Sequence, residues 1–261
     1  MTQWLAKLPN WALYIGSVAI WIAITLAIDT ILRRRMRAEV RTSAGRTAAI
    51  ILGVLANIFA VLMAFVVVEG WNDYQSAQAD VDREATALAT IEENTRTLHP
   101  DEYEDVRAAL DRYVQSVIDY EWKSMADHGR GSPVTTKALQ GLFDEIKQLS
   151  ADGHTEEAFY DRTVGALDTV VAARQQRVTA SAGSLPLPLY VLLCFGGVVI
   201  IGLACALDAE DRRSHVVIVC SIATVIALML ALVVGFDHPF SGGVSVSDAE
   251  LRRFLAIPPV P

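Results

Sequence analysis

The sequence predicts an all-α membrane protein in which four transmembrane helices carry a helical-bundle domain inserted between helices two and three. Three observations predict it. Four stretches free of charge, Trp11–Ile28, Thr47–Val68, Leu185–Leu207 and Val216–Phe236, stand in two pairs. A hydrocarbon core about 30 Å thick takes roughly 20 apolar helical residues, because the backbone there must satisfy its own hydrogen bonds. Between the pairs lies a long polar segment whose apolar residues recur at three- and four-residue spacing, the period of an amphipathic helix. Charge divides the chain the same way: Trp71 to Pro186 holds 21 acidic and 11 basic residues, a balance of −10, against −8 for all 261 residues.

The first span begins after Lys7, and its strong positive cluster comes after it, in the loop holding Arg33, Arg34, Arg35, Arg37, Arg41 and Arg46 against the single acid Glu39. That order does not suit a cleavable signal. Short arginine-rich loops stay cytoplasmic, so Arg33, Arg34, Arg35 and Arg37 read as a cytoplasmic anchor, with Arg212 and Arg213 in the loop between spans three and four on the same side. Both termini and the polar segment are then expected outside a bacterial plasma membrane, with Trp4, Trp11 and Trp71 at the outer interface. Small residues at four-residue spacing, Ala19, Ala23 and Ala27 on span one and Ala56, Ala60 and Ala64 on span two, let helices approach closely, within one protomer or between subunits.

Span two is expected to leave the membrane as one helix reaching about Leu98, with Tyr74, Ala77, Val81, Leu88, Ile91 and Leu98 on one face. Pro100, Asp101 and Glu102 start the next helix, since proline suits a first turn and acids suit the positive end of the helix dipole. Its inner face reads Tyr103, Val106, Leu110, Tyr113, Val117 and Tyr120, antiparallel to the first. After the turn His128–Ser132, Ser132 caps a third helix with Pro133 at its first position and Leu139, Leu142, Phe143 and Ile146 inward. Asp152-Gly153 ends that region. A fourth helix runs from about Glu156 to Thr179 with Tyr160, Val164, Leu167 and Val171 on one face. The expected divisions are 1–70, the first membrane pair; 71–184, the acidic bundle; 185–237, the second pair; and 238–261, a polar, proline-containing tail, loosely ordered from Ser241 on.

Several functions find no footing. An acidic domain without a basic, aromatic-interleaved stripe does not attract nucleic acid. Cys194, Cys205 and Cys220 all lie in the apolar stretches, so neither a disulfide framework nor a cysteine metal site is expected. His99, His128, His154, His215 and His238 are scattered, without a partner at i+3 or i+4. No phosphate loop, nucleophile elbow or paired-carboxylate signature is present. Neither catalysis nor a cofactor is expected.

The polar candidates are few. Asn57 lies mid-span, where its amide needs a partner, either a neighbouring helix or a pore. Glu69 and Asp237, at span ends on the same side, are candidates for ion passage; Asp29 and Asp208 read as partners of the loop arginines. Glu84 occupies an apolar position of the bundle, so its carboxylate needs a cation, with Arg107 and Arg112 as the candidates.

The run Glu69-Gly70-Trp71-Asn72-Asp73-Tyr74, followed by Ala77, Val81 and Glu84-Ala85, then Tyr113 and Glu121-Trp122, and after the last span Phe236-Asp237-His238-Pro239-Phe240-Ser241-Gly242-Gly243-Val244, resembles the bestrophin-like bacterial membrane proteins over about Ile50 to Leu255. The Asp-x-Pro-Phe-Ser-Gly element is its most specific part. The resemblance implies kinship with bestrophins, pentameric anion channels with four spans, and hence a homo-oligomeric, channel-like pore in contact with membrane lipid. It also implies intervening helices in the cytoplasm, against the arginine count. It assigns no pore residue among Ile58, Phe59, Leu62 and Phe65. A non-conducting membrane-anchored sensor or scaffold, binding a small molecule, an ion or a partner through the bundle, is the alternative expectation.

Overall fold

The computed structural model describes residues 10–35, 38–98, 102–149, 154–183, 185–207, 211–241 and 245–256. Arg37 and Asp208 lie outside them. The described residues form helices α1 (Asn10–Arg35), α2 (Ala38–Leu98), α3 (Tyr103–Ser116), a π-helical turn (Val117–Glu121), α4 (Trp122–His128), α5 (Pro133–Gln148), α6 (His154–Ala180), α7 (Leu187–Ala206), α8 (Arg212–Asp237) and α9 (Ala249–Ala256). Four of them, α1, α2, α7 and α8, are long and apolar enough to cross a membrane.

The chain divides into two compact units, the described residues of Thr2–Asn72 with Ser184–Asp237 and those of Asp73–Gly183 with His238–Pro261. In the first, α1, α7 and α8 pack on one another. Their core joins Trp21, Leu193, Ile200, Ile201, Ala223, Ile226, Ala227 and Val233 to Met63 and Val66 of α2. Gly196 makes close packing possible on one side of α7: a Cβ there would stand 2.9 Å from the Phe59 ring. Ser17 Oγ donates to the Ala227 carbonyl at 3.1 Å, giving its hydroxyl a partner within the apolar layer.

The second unit is built on the polar part of α2. With no proline among its 61 residues, α2 runs unbroken as expected. Ala77, Val81, Leu88 and Ile91 are buried against Val106, Leu110, Tyr113 and Val117, and the pairs Glu84–Tyr113 and Glu92–Arg107 mark an antiparallel arrangement. Ser132 caps α5, its Oγ accepting the Val134 N–H at 3.2 Å, with Pro133 at the first position. Gly129 ends α4 at φ 61°, a left-handed geometry that costs a residue without Cβ little.

Three inward assignments are corrected. Tyr120 is 55% exposed and Glu121 is buried, because the π-helical turn adds a residue to the repeat and rotates the positions beyond it. Phe143 and Val171 are exposed; α6 instead buries Thr163, Leu167, Val170, Ala173 and Arg177. The expectation of a loosely ordered tail is also corrected for its described residues, 241 and 245–256. Phe240, Val246, Leu251 and Phe254 are buried in the core of the second unit, because α9 carries an apolar stripe short enough to be missed in a polar context. Ser241 Oγ donates to the Ala126 carbonyl at 2.9 Å, and Trp122 meets Phe240 edge to face at 5.4 Å.

Candidate functional site

Of the four apolar helices, α2 is the least covered by its own chain. One side packs inward through Leu52, Phe59, Met63 and Val66. The other presents Ile50, Val54, Asn57, Val61, Ala64 and Val68, all exposed and spaced four, three, four, three and four residues apart. This is the spacing of a helix face that meets other helices in a coiled-coil-like seam. Asn57 interrupts an otherwise apolar row, and its amide has no hydrogen-bond partner among the described residues. Glu69, one residue past the end of the row, is exposed and likewise has no partner there.

Asp237 is placed differently. It is 4% exposed, and its two oxygens accept the Leu185 N–H and the Tyr190 hydroxyl, each at 2.8 Å. Beside it, Phe236 packs on Gly70 and meets Trp71 edge to face at 5.6 Å. The two carboxylates proposed for ion passage therefore differ: Glu69 faces outward, whereas Asp237 ties the beginning of α7 to the end of α8.

At the other end of the same unit, the Arg33 Nε donates to both oxygens of Asp29 at 2.8 and 2.9 Å. The His215 Nε2 of α8 lies 3.2 Å from the same carboxylate. Asp29 thus pairs with a loop arginine, while Arg34 and Arg35 remain exposed.

Glu84 sits fully buried in the second unit and meets Arg177 through Nε at 2.8 Å and Nη2 at 3.1 Å, and the Tyr113 hydroxyl at 2.6 Å. The expected partners are elsewhere. Arg107 pairs with Glu92 and Asp111, and Arg112 is exposed, 3.9 Å from Glu145. Arg177 carries no local signal of this role, because an arginine on the inner face of α6 breaks the apolar periodicity that marks that face. The same guanidinium reaches Glu121 at 3.0 Å, and Arg174 meets Glu121 at 2.6 Å. Two acids and two cations thereby balance inside the bundle, as buried charges must.

Burial by itself would raise the Glu121 carboxyl, but the Arg174 hydrogen bond, the Arg177 charge and the Ser132 N–H outweigh it and hold it below the ordinary carboxylate value. Burial works against the Arg177 charge, and Glu84, Tyr113 and Glu121 reverse that and raise it. The Tyr113 hydroxyl is pushed well up by burial and then by Glu84. These three groups therefore keep a single protonation state near neutral pH, which suits a fixed internal brace better than a proton-exchanging site. No group of three or more metal-ligating side chains occurs among the described residues.

An all-helical chain with four apolar helices, one of them continuing far into a second helical unit, defines a helical membrane protein of bestrophin-like fold. Residues 19–251 match the Bestrophin-like domain, and the chain belongs to that family. Two crystal structures of a bacterial Bestrophin homologue from Klebsiella pneumoniae, each carrying a single substitution, are similar to it at 15% identity. Their TM-scores are 0.72 and 0.74, over 92% of this chain and 96% and 94% of those chains. A further structure, of a membrane protein with one substitution, matches with a TM-score of 0.72 at 15% identity, over 92% of this chain and 95% of that one. Comparison with curated proteins finds no match.

Proposed function

We propose that this chain assembles into a homo-oligomeric, ion-conducting, channel-like pore in a bacterial membrane, with the exposed row of α2 facing the pore or the neighbouring subunits. The observation that carries this is Asn57. An amide in the apolar part of a span, on the exposed side, needs a hydrogen-bond partner that the described residues of its own chain do not supply. A second copy or pore water supplies it. Membership of the Bestrophin-like family supports the same reading. In it, Asn57 and Glu69 belong to the conducting face, and Asp237 is a positioning residue.

The second unit is a helical domain outside the hydrocarbon layer, inserted between spans α2 and α7. Kinship with bestrophins implies an anion as the permeant ion. Glu69 is exposed on α2, where a ring of carboxylates would favour cations. Purified full-length protein in planar bilayers under a salt gradient decides between them by the sign of its reversal potential. A monomer without conductance would sink the pore reading and favour the non-conducting sensor or scaffold. The loop arginines support a cytoplasmic position for Arg33, Arg34 and Arg35. An impermeant thiol label on intact cells, applied to a single cysteine introduced at Lys147, tests which side the second unit occupies.

A further inference from the structure

We propose that Arg34, Arg35, Arg212 and Arg213 form a binding site for the phosphate headgroup of an anionic phospholipid. The site does not depend on conduction or on the orientation of the chain. It begins with the Asp29 carboxylate, buried at 3% exposure and held between Arg33 of α1 and His215 of α8. This contact fixes the end of α1 against the start of α8.

Arg34 and Arg35 follow Asp29 by five and six residues, about 8 Å along the helix, and Arg212 and Arg213 precede His215 by three and two, about 4 Å. The four guanidinium groups are therefore carried out of the apolar layer at one end of the same helix pair. All four are exposed, and none has an ion-pair partner among the described residues.

The nearby described acids are already engaged. Asp29 holds Arg33, and the Asp211 carboxylate caps α8 by accepting the Ser214 N–H at 3.1 Å. Backbone hydrogen bonds from Ser214, Arg213 and Arg212 hold that Asp211 carboxyl below its ordinary value, so it stays charged and committed to the cap. Across the two loops and their flanking turns, eight arginines (33, 34, 35, 37, 41, 46, 212 and 213) stand against five acids (29, 39, 208, 210 and 211), leaving +3.

A phosphate diester presents oxygens that match the planar, multi-donor guanidinium. At the edge of an apolar helix pair, the phosphate that is always in reach is that of a lipid whose chains lie along the helices. A headgroup with net negative charge fits this end, whereas a zwitterionic one brings its own ammonium against the arginines.

The test is native mass spectrometry of the full-length protein in detergent with added phosphatidylglycerol or phosphatidylethanolamine. The wild type retains phosphatidylglycerol in preference. Arg34→Gln/Arg35→Gln and Arg212→Gln/Arg213→Gln, made separately so that each folds with half the site intact, each reduce that preference, by about fivefold per charge removed. Replacement of the same residues by lysine restores most of it. Equal retention of the two lipids by the wild type, or an unchanged preference in both variants, overturns the proposal. Displacement of the lipid by millimolar inorganic phosphate overturns the lipid assignment in favour of a free-phosphate site.

Discussion

Arg177 grips Glu84 with two nitrogens, at 2.8 and 3.1 Å, although 93 residues separate them in the chain. Neither side chain reaches solvent. Arg177 also meets Glu121, so a single guanidinium bridges carboxylates from α2 and from the π-helical turn, with Arg174 supplying the second positive charge.

Arg177→Met should therefore be among the most damaging substitutions in the second unit. It leaves Glu84 without a cation in a dry interior, at a cost of about 3–5 kcal/mol. The double variant Glu84→Gln/Arg177→Met should be milder than the single one. Thermal unfolding of the purified proteins measures both, and a single variant as stable as the wild type would show that the pair contributes nothing.

Glu121 gives the acid limb of stability a specific source. Its folded value lies below the ordinary 4.5, so its contribution is fully present above that pH and is lost as pH falls through the lowered folded value. Melting temperature against pH should drop more steeply below 4.5 in the wild type than in Glu121→Gln. Parallel curves would mean that another group carries the acid transition.

Asn57→Leu completes the apolar row on α2 and removes the one amide. If that amide bonds between subunits, the oligomer loses about 0.6 kcal/mol per hydrogen bond, and it dissociates at lower detergent concentration. If the amide contacts pore water, unitary conductance falls instead. Size-exclusion profiles and single-channel records that both match the wild type would remove Asn57 from the proposed site.

Gly196→Val forces branched carbon into the space held by the Phe59 ring, 2.9 Å from where even the first added atom would sit. Overpacking of this kind costs about 1–3 kcal/mol. The same change at Gly202, where an added Cβ meets nothing within 4 Å, should cost less at that position. Equal melting temperatures for the two variants would contradict the packing described for α7.

Leu251→Ala tests the tail. Leu251 is fully buried beside Phe254, whose ring lies under the Arg107 guanidinium at 4.8 Å. Truncating a core leucine costs about 2–5 kcal/mol. A change within experimental error would mean that α9 only rests on the surface.

The membrane helices were legible because hydrocarbon imposes one rule on every residue of a span, and Trp11–Ile28 or Val216–Phe236 obey it without exception. The Ser132 cap and the unbroken α2 were legible for local reasons, a hydroxyl before a proline and the absence of any proline. What stayed hidden was non-local. Nothing in the neighbourhood of Arg177 announces that it will be buried, since its acids come from two distant segments. The role of Asp237 was hidden too, because the Leu185 N–H and Tyr190 hydroxyl it accepts lie 52 and 47 residues away. The exposed row on α2 could be read as a pattern, but whether a face is covered depends on every other helix.

The π-helical turn at Val117–Glu121 makes the ionic balance sensitive to counting as well as to chemistry. Deleting one residue between Ser116 and Glu121 would leave every participant in the network intact and yet return the segment to ordinary helical phase. Glu121 would then stand three residues after Val117 and stay on the inner face, whereas an ordinary helix of the present length would put Tyr120 there and leave Arg174 and Arg177 facing a phenol where a carboxylate now stands. Relatives of this chain one residue shorter at that point should therefore have an ordinary helix there and keep the same charges on α6.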